Sequence, residues 1–309
     1  MKKISIIIPA YNEEGNVEEL YNQLNYVTEN LPEYKFEYLF IENGSSDNTF
    51  QNIQKIKSTD SRVEYVKLSR NFKMDGGIAA GLDSVDCDAA IIMTANLQDD
   101  PKLIPSFIEK WEEGYDHVYG IVKSRPGKSI LRKLNSVIFY RLMNKLTNNL
   151  VPEGVSDYRL VDRKVINAVK SLNEFNRFYR GFFAWVGFNS VGIEFNRQKR
   201  HSGTSHAKTF PVLGFAIRAM FAFSTKPLKI SVFITFITST LSMFILLQQT
   251  IRWFRFGVPF DGFGTLTGIL LLFISLLFLI LSILSEYIGL IYDESKKRPH
   301  YIIEEQSGI

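Results

Sequence analysis

Two uncharged segments near the C-terminus constrain the architecture of this chain more than any other feature. Ile230 to Leu247 spans 18 residues and Gly264 to Ser285 spans 22, and neither segment contains a charged side chain. A helix of either length can cross a hydrocarbon layer about 30 Å thick. We therefore predict a two-helix transmembrane region at 229–290, and the alternative is a buried helical pair in a soluble protein.

Basic residues flank the two apolar segments and predict their orientation. Lys226 and Lys229 precede the first segment, and three cations at 296–298 follow the second. Loops rich in lysine and arginine tend to stay in the cytoplasm, so both ends of the pair are expected there. Arg252 and Arg255 in the short connection weaken this contrast.

The segments on either side of the apolar pair have their own predicted roles. Residues 208–228 combine Phe and Met with isolated cations, a pattern typical of an amphipathic helix in the membrane interface. Residues 291–309 are expected to form a cytoplasmic C-terminal tail. The net charge of +4 is dispersed and argues against nucleic acid as a partner. A single cysteine, Cys87, excludes an intramolecular disulfide and fits a reducing compartment.

The first 120 residues alternate strand and helix patterns. Five short apolar runs are predicted strands, and the segments between them have helical periodicity. The runs are "ISIII", "FEYLFIE", "VEYVKL", "AAIIMT" and "HVYGIV". This alternation predicts an α/β domain with a mostly parallel sheet, in which ligands bind beyond the carboxyl ends of the strands. No G-x-G-x-x-G follows the first strand, which argues against a dinucleotide-binding domain.

Six motifs occur in the order found in a known family. They are "IIIPAYNEE", "ENGSSDNT", "LSRNF", "NLQDDP", "SDYRLVDRKV" and "RHSGTSHAK", and the apolar pair follows them. Each motif alone is weak, but together they cover nearly the whole chain. The chain therefore resembles the family 2 glycosyltransferases, specifically the polyprenyl-phosphate glycosyltransferases related to dolichyl-phosphate mannose synthase and the bactoprenol glucosyltransferases.

The resemblance implies a GT-A-type, Rossmann-like domain over residues 1–207. It also implies inverting transfer of a hexose from a nucleotide sugar to polyprenyl phosphate, which would give a lipid-linked sugar for cell-envelope glycans. Membrane lipid is a further partner, and a homo-oligomer and a flippase for the lipid-linked sugar are expected companions. The protein would be a multi-pass component of the cell membrane with a cytoplasmic catalytic domain. The competing hypothesis is a catalytically impaired paralogue that regulates an active transferase or binds lipid phosphate.

The resemblance assigns the nucleotide-sugar donor to three strand-end loops, of which the third contains Asn96 and Gln98. The first loop contains Pro9, Tyr11 and Glu13, and the second contains Glu42 and Asn43. The two carboxylates can accept hydrogen bonds from base and ribose groups. For Glu13 and Glu14, a solvated helix N-terminus is the alternative.

The motif "MTANLQDDP" departs from the family at the residues that hold a divalent cation. The family has two aspartates where this chain has Thr94 and Asn96, and Gln98 retains the third contributor. Mg²⁺ and Mn²⁺ prefer anionic oxygens, so Asn96 and Gln98 would form a weak metal site at most. Metal-independent catalysis and a loss of activity are the two other interpretations that remain open. The cations that could replace a metal are Lys73, Lys123, Arg125 and Arg200.

The acceptor-side motifs keep the family pattern. The match of "SDYRL" places Asp157 at the reacting centre, where it would orient the lipid phosphate and the sugar hydroxyls more than act as a base. A helix-capping aspartate is the alternative. Arg200 is the second catalytic candidate. Arg159 and Ser205 are candidates for contacts to the acceptor phosphate, since a guanidinium matches phosphate geometry.

Overall fold

The computed structural model describes residues 1–124, 152, 154–172, 174–175, 177–198, 226–257 and 262–308. The chain divides into two compact units. The first comprises Met1–Val212 together with Arg298–Ile309, and the second comprises Leu213–Lys297. Most of the predicted interfacial helix at 208–228 lies outside the described residues.

One sheet organises the first unit. Its strands in chain order are β1 (Lys2–Ala10), β2 (Tyr34–Glu42), β3 (Val63–Leu68), β4 (Ala89–Ile92), β5 (His117–Ser124), β6 (Val155–Asp162), β7 (Ser190–Asn196) and β8 (Ile303–Gln306). Their spatial order is β7-β5-β6-β4-β1-β2-β3-β8. β1 pairs in parallel with β2 and β4, and β2 pairs in parallel with β3. The predicted α/β fold with a mostly parallel sheet is therefore confirmed.

Six helices of the first unit lie within the described residues. They are α1 (Val17–Glu29), α2 (Thr49–Thr59), α3 (Lys73–Ser84), α4 (Ile104–Glu112), α5 (Arg163–Lys170) and α6 (Tyr179–Trp185). α1 buries Val17, Leu20, Leu24 and Val27 against the sheet, which is the stripe that its periodicity predicts. Burial of such stripes against the apolar β1 provides the main driving force for this layer.

β6 was not predicted, and it changes the arrangement of the sheet. It lies between β4 and β5 and runs antiparallel to both. β5 is consequently not the neighbour of β4, although β5 itself pairs in parallel with β7. The alternative that Asp157 caps a helix would require a helix directly after that residue. The helix begins only at Arg163, and the residues before it are extended and mostly buried.

The C-terminal segment also forms part of the first unit. β8 pairs antiparallel with β3, and Lys67 Nζ lies 2.7 Å from Glu304 Oε1. Tyr65 Oη donates to Glu305 Oε1 at 2.6 Å. The predicted tail at 291–309 thus contains a strand of the sheet and is more than a solvated extension.

Two long helices form the described part of the second unit. α7 spans Lys226–Phe256 and α8 spans Phe263–Ser295. Both extend beyond the predicted 229–290, because a helix can continue through the charged residues that border an apolar run. Among the described residues, one stretch is long and apolar enough to cross a membrane, Leu272–Ser295, with a mean hydropathy of 2.2. The apolar stretch within α7, Ser231–Ile245, is shorter.

Candidate active site

Three loops meet at one edge of the sheet. The carboxyl ends of β1, β2 and β4 lie side by side, and backbone hydrogen bonds join them. Asn43 N donates to Ala10 O at 2.9 Å, and Met93 N donates to Ile7 O at 3.1 Å. This edge is where α/β sheets bind ligands. The fold therefore brings together the three loops in which the donor site was predicted.

Glu13 serves the internal structure of the first loop. Its backbone N–H donates to Thr49 Oγ1 at 2.8 Å, and its carboxylate accepts a hydrogen bond from Asn16 Nδ2. The residue is buried, so the alternative of a solvated helix N-terminus is wrong. Pro9 is buried near the carboxyl end of β1. Tyr11 follows the strand and is half-buried.

Glu42 is the last residue of β2, and only one of its two carboxylate oxygens has a hydrogen-bond partner among the described residues. The residue is 1% exposed. Its Oε1 accepts a hydrogen bond from Ser45 N at 2.5 Å, whereas its buried Oε2 has no partner within the described part of the chain. An unpaired buried acceptor is costly and rare in native proteins. Among the predicted donor-binding residues, Glu42 thus has a buried carboxylate oxygen with no hydrogen-bond partner in the described part of the chain.

Asn43 uses both ends of its side chain to fix a neighbouring loop. Its Oδ1 accepts from Phe72 N, and its Nδ2 donates to Lys73 O, both at 2.8 Å. The next residue, Gly44, has φ of +69°, and a Cβ there would lie 2.6 Å from the backbone of Arg70. Asn43 therefore positions the loop between β3 and α3, and these bonds do not depend on a nucleotide.

The loop after β4 is closed by its own side chains. Asn96 Oδ1 accepts from Gln98 N at 3.1 Å and lies 3.0 Å from the Thr94 hydroxyl. Leu97 between them has φ of 57°, a conformation that is strained for a branched residue. The oxygen of Asn96 that was predicted to face a metal is therefore already engaged within the loop.

Asp99 anchors this loop to β7. It is fully buried, and its Oδ2 accepts from the Thr94 hydroxyl at 2.6 Å and from Thr94 N at 3.2 Å. Its Oδ1 accepts from Arg197 Nη2 at 3.2 Å. Arg197 Nε is buried without a hydrogen-bond partner among the described residues. A guanidinium therefore lies beside the loop in which the weak metal site was predicted.

Asp157 lies in β6 and forms a bidentate ion pair. Arg180 Nε donates to its Oδ1 at 2.8 Å, and Arg180 Nη2 donates to its Oδ2 at 2.6 Å. Burial acts to raise the pKa of Asp157, but the charge and hydrogen bonds of Arg180, with the charges of Arg159 and Arg197, lower it to about 2. The carboxyl group is therefore ionised at every physiological pH.

The helix-cap alternative for Asp157 is wrong. The residue that caps α5 is Asp162, whose Oδ1 accepts a hydrogen bond from Lys164 N at 2.9 Å. Asp157 lies five residues earlier, within the strand. Its side chain is 18% exposed and that of Arg180 is 30% exposed, so the pair can be reached from solvent.

Arg159 is a buried neighbour of Asp157 in β6 and donates a hydrogen bond to its backbone oxygen. It is 1% exposed, and its guanidinium donates to the backbone oxygens of Ser156 at 2.6 Å and Asp157 at 3.2 Å. It also stacks on Phe183 and lies 3.5 Å from His117 Nε2. Burial lowers the pKa of Arg159 to about 10 and, together with the charge of Arg159, lowers the pKa of His117 well below its usual value. A direct contact between Arg159 and an acceptor phosphate is not supported by this burial.

Three of the predicted cations and polar residues lie outside the described residues, namely Arg125, Arg200 and Ser205. Lys123 is exposed and pairs with Glu194 at 2.7 Å. Lys73 begins α3 with a positive φ of 65°.

Sequence reasoning missed Arg180, Arg197 and Asp75. Arg180 is located in the aromatic segment "FYRGFFAW", which suggests packing more than chemistry. Arg197 directly follows β7, and Asp75 follows "LSRNF" in the first turn of α3. No local pattern links these residues, because their partners are 23 to 104 positions away along the chain.

Comparison with family models gives one match that covers more than half of the chain. Residues 5–170 match the model of glycosyl transferase family 2. A bactoprenol glucosyl transferase of Shigella phage SfV is 33% identical over 98% of this chain and 99% of its own length. The uncharacterized glycosyltransferase YkcC of Bacillus subtilis (strain 168) is 37% identical over 99% of this chain and 94% of its own.

Comparison with solved structures finds a protein whose fold is similar to that of this chain. A mycobacterial protein aligns with a TM-score of 0.51 at 15% identity, over 72% of this chain and 75% of that one. Glucosyl-3-phosphoglycerate synthase from Mycobacterium tuberculosis, in complex with Mn²⁺, UDP and phosphoglyceric acid, aligns with a TM-score of 0.49 at 17% identity, over 71% of this chain and 76% of that one.

Proposed function

The chain belongs to glycosyl transferase family 2, and from that membership we propose that it transfers a sugar from a nucleotide-sugar donor to polyprenyl phosphate, with inversion at the anomeric carbon. The assignment of polyprenyl phosphate as the acceptor rests on the full-length similarity to bactoprenol glucosyl transferases. This similarity extends over the apolar C-terminal helices. A soluble donor and a lipid acceptor call for a globular domain held at a membrane, which the first unit and the apolar stretch Leu272–Ser295 would supply. The competing hypothesis of a non-enzymatic paralogue is not favoured by these relatives. A homo-oligomer and a flippase remain predictions.

The donor nucleoside is proposed to lie at the ends of β1 and β2. Glu42 Oε2 is the acceptor with an unused lone pair there, and a hydroxyl or N–H of the nucleoside would satisfy it. The bonds made by Glu13 and Asn43 hold the two loops in place for that contact. These residues would therefore shape the nucleoside site more than they touch the ligand.

The acceptor phosphate is proposed to approach Asp157 and Arg180. A phosphate oxygen is already a nucleophile near neutral pH, so the step needs positioning and charge compensation more than a base. In the step, this oxygen forms a bond to the anomeric carbon while the bond to the nucleoside diphosphate breaks. Arg180 and Arg197 would attract the phosphates, and Asp157 would orient Arg180 and the sugar hydroxyls.

The β4 loop lacks a free carboxylate for a divalent-metal cage, since the oxygens of Asp99 and Asp100 all accept protein hydrogen bonds. Thr94 and Asn96 carry no charge, their oxygens are bonded within the loop, and both oxygens of Asp99 accept protein hydrogen bonds. Mg²⁺ and Mn²⁺ sites usually contain at least one free carboxylate. We therefore propose that arginines compensate the charge of the leaving diphosphate, with no step assigned to a metal.

A transfer assay tests the proposed function. Full-length protein in detergent is mixed with undecaprenyl phosphate and, in parallel, UDP-glucose, UDP-N-acetylglucosamine or GDP-mannose, and lipid-linked sugar is detected by mass spectrometry. We expect product with one donor at least and none when the lipid phosphate is left out. Binding of lipid phosphate without transfer from any donor would support the non-enzymatic hypothesis.

We also propose that both α7 and α8 span the membrane. The chain leaves the first unit before α7 and returns to it after α8, because β8 pairs with β3. A globular unit that lies on one side of a membrane requires an even number of crossings between its two parts. One crossing by α8 therefore requires a second by α7, whose apolar stretch alone is short.

Cysteine labelling in sealed inverted vesicles tests this topology. In a Cys87→Ser background, we expect Lys296→Cys to react with an impermeant maleimide, because it would be on the cytoplasmic face. Gly257→Cys, in the connection between the helices, should react only after the vesicles are opened. Equal labelling of both positions in sealed vesicles would contradict two crossings.

A further inference from the structure

Asp75 lies on α3 and contacts the first residue of α6, the helix that carries Arg180. It lies in the first turn of α3, and its Oδ1 accepts a long hydrogen bond from Tyr179 N at 3.4 Å. Tyr179 begins α6, and the next residue is Arg180, which binds Asp157 through two hydrogen bonds. Asp75 therefore contacts the backbone immediately before the guanidinium of the candidate active site.

Asp75 is also electrostatically coupled to the Asp157–Arg180 pair. The groups that face it are Lys73 on its own helix, Asp157 on β6, and Arg180 with the Tyr179 N–H on α6. Burial and the negative charge of Asp157 raise the pKa of Asp75 to about 6, against the opposing effects of the other groups. The two carboxyl groups both feel the charge of Arg180, but their pKa values are pushed apart, to about 6 for Asp75 and about 2 for Asp157.

We propose that Asp75 is a positioning residue for sugar transfer, which fixes the first turn of α6 through its hydrogen bond to Tyr179 and in its neutral form does not compete with Asp157 for Arg180. The proposal rests on the proposed transferase function. When Asp75 ionises, it repels Asp157 and competes for the positive charge of Arg180. By linkage, conditions that neutralise Asp75 strengthen the pair, since each carboxylate disfavours ionisation of the other.

Two replacements separate the hydrogen bond from the charge. Asp75→Asn retains an oxygen that can accept from Tyr179 N and is neutral at every pH, whereas Asp75→Ala loses both properties. We expect kcat of Asp75→Asn to equal that of the wild type near pH 5 and to exceed it about twofold to fivefold at pH 8. Asp75→Ala should lose about tenfold in kcat at both pH values, with the donor KM within about twofold, because Arg180 is misplaced while the nucleoside site is intact.

The comparison uses rate ratios between variant and wild type, because ionisation of the lipid phosphate affects both proteins equally. Asp86→Asn is the matched control, because Asp86 is exposed and pairs with Arg163 away from the active site. The ratio of its kcat to that of the wild type should not change with pH. A flat ratio for Asp75→Asn, or an unchanged kcat for Asp75→Ala, would overturn the proposal.

Thermal unfolding gives a readout that needs no transfer activity. A raised pKa means that the stabilising contribution of Asp75 is present below its unfolded value near 3.8 and is lost as pH rises through about 6. The Tm of Asp75→Asn relative to wild type should therefore increase between pH 5 and pH 8. If the wild type transfers no sugar but this shift occurs, the proposed function fails while the coupling stands. If transfer occurs without the shift, the positioning proposal fails alone.

Discussion

Replacing Asp157 with asparagine is expected to reduce sugar transfer by about tenfold to a thousandfold while nucleotide binding stays nearly unchanged. The neutral side chain cannot hold Arg180 by two charge-assisted hydrogen bonds, so the guanidinium loses its fixed position beside the acceptor phosphate. Initial rates of lipid-linked sugar formation, together with calorimetric titration of the nucleotide, measure the two quantities separately. Unchanged turnover would mean that the reacting centre lies elsewhere.

A double-mutant cycle with Arg180→Ala serves as the control for this prediction. Two residues that act as one unit are strongly non-additive, so the double variant should be little worse than either single variant. The charge of Asp157 itself does not change between pH 5 and 8, because its pKa is about 2, so any pH dependence of the loss in that range follows the ionisation of Asp75. Additive losses would indicate that the ion pair is not the functional unit.

The strands and apolar helices were predictable because their signals are local. Apolar runs such as "ISIII" become buried strands wherever the sheet places them, and an apolar segment of more than 20 residues forms a helix that satisfies its own backbone in lipid. Alternation of strands and helices then fixes the parallel order of β1 to β4. These features depend on neighbours within a few residues.

β6 and β8 were not predictable from local patterns. β6 lies between β4 and β5, which pair with its two edges across a long separation in sequence. β8 is a four-residue strand with an exposed, acidic sequence, and its contact from Glu304 to Lys67 spans 237 positions. Such short strands are stabilised only by partners already in place. A truncation after residue 225 would therefore remove β8 with the helices.

The candidate site was predictable in its location but not in its internal bonding. The carboxyl ends of the strands indicated the edge, and the motifs indicated Asp157. Whether a polar side chain binds a ligand or another loop depends on contacts such as that of Glu13 with Thr49, 36 positions away. Asn43 and Arg159 likewise have protein partners that account for their polar groups, and a family motif does not reveal this.

Restoring two aspartates, as Thr94→Asp with Asn96→Asp, is expected to create a manganese site and to lower metal-free transfer about tenfold. The wild-type loop offers neutral oxygens that are already bonded to one another, so its activity should depend weakly on divalent metal. A carboxylate at position 94 would face Asp99, which lies 2.6 Å from the Thr94 hydroxyl, and the added charge would compete for Arg197. Mn²⁺ binding is measured by electron paramagnetic resonance, and transfer is measured across a manganese series with and without chelator.

The neutral variant Thr94→Asn controls for shape, because asparagine is isosteric with aspartate but adds no charge. It should neither bind manganese nor acquire metal dependence. Millimolar manganese should restore part of the activity of the double variant, since the cation neutralises the new carboxylates and the diphosphate together. If the double variant instead exceeds the wild type at every manganese concentration, the native loop is a weakened metal site. If full wild-type activity vanishes on mild chelation, arginines do not replace the metal, and other carboxylates, with Asp99 first, would have to release their present hydrogen bonds to bind it.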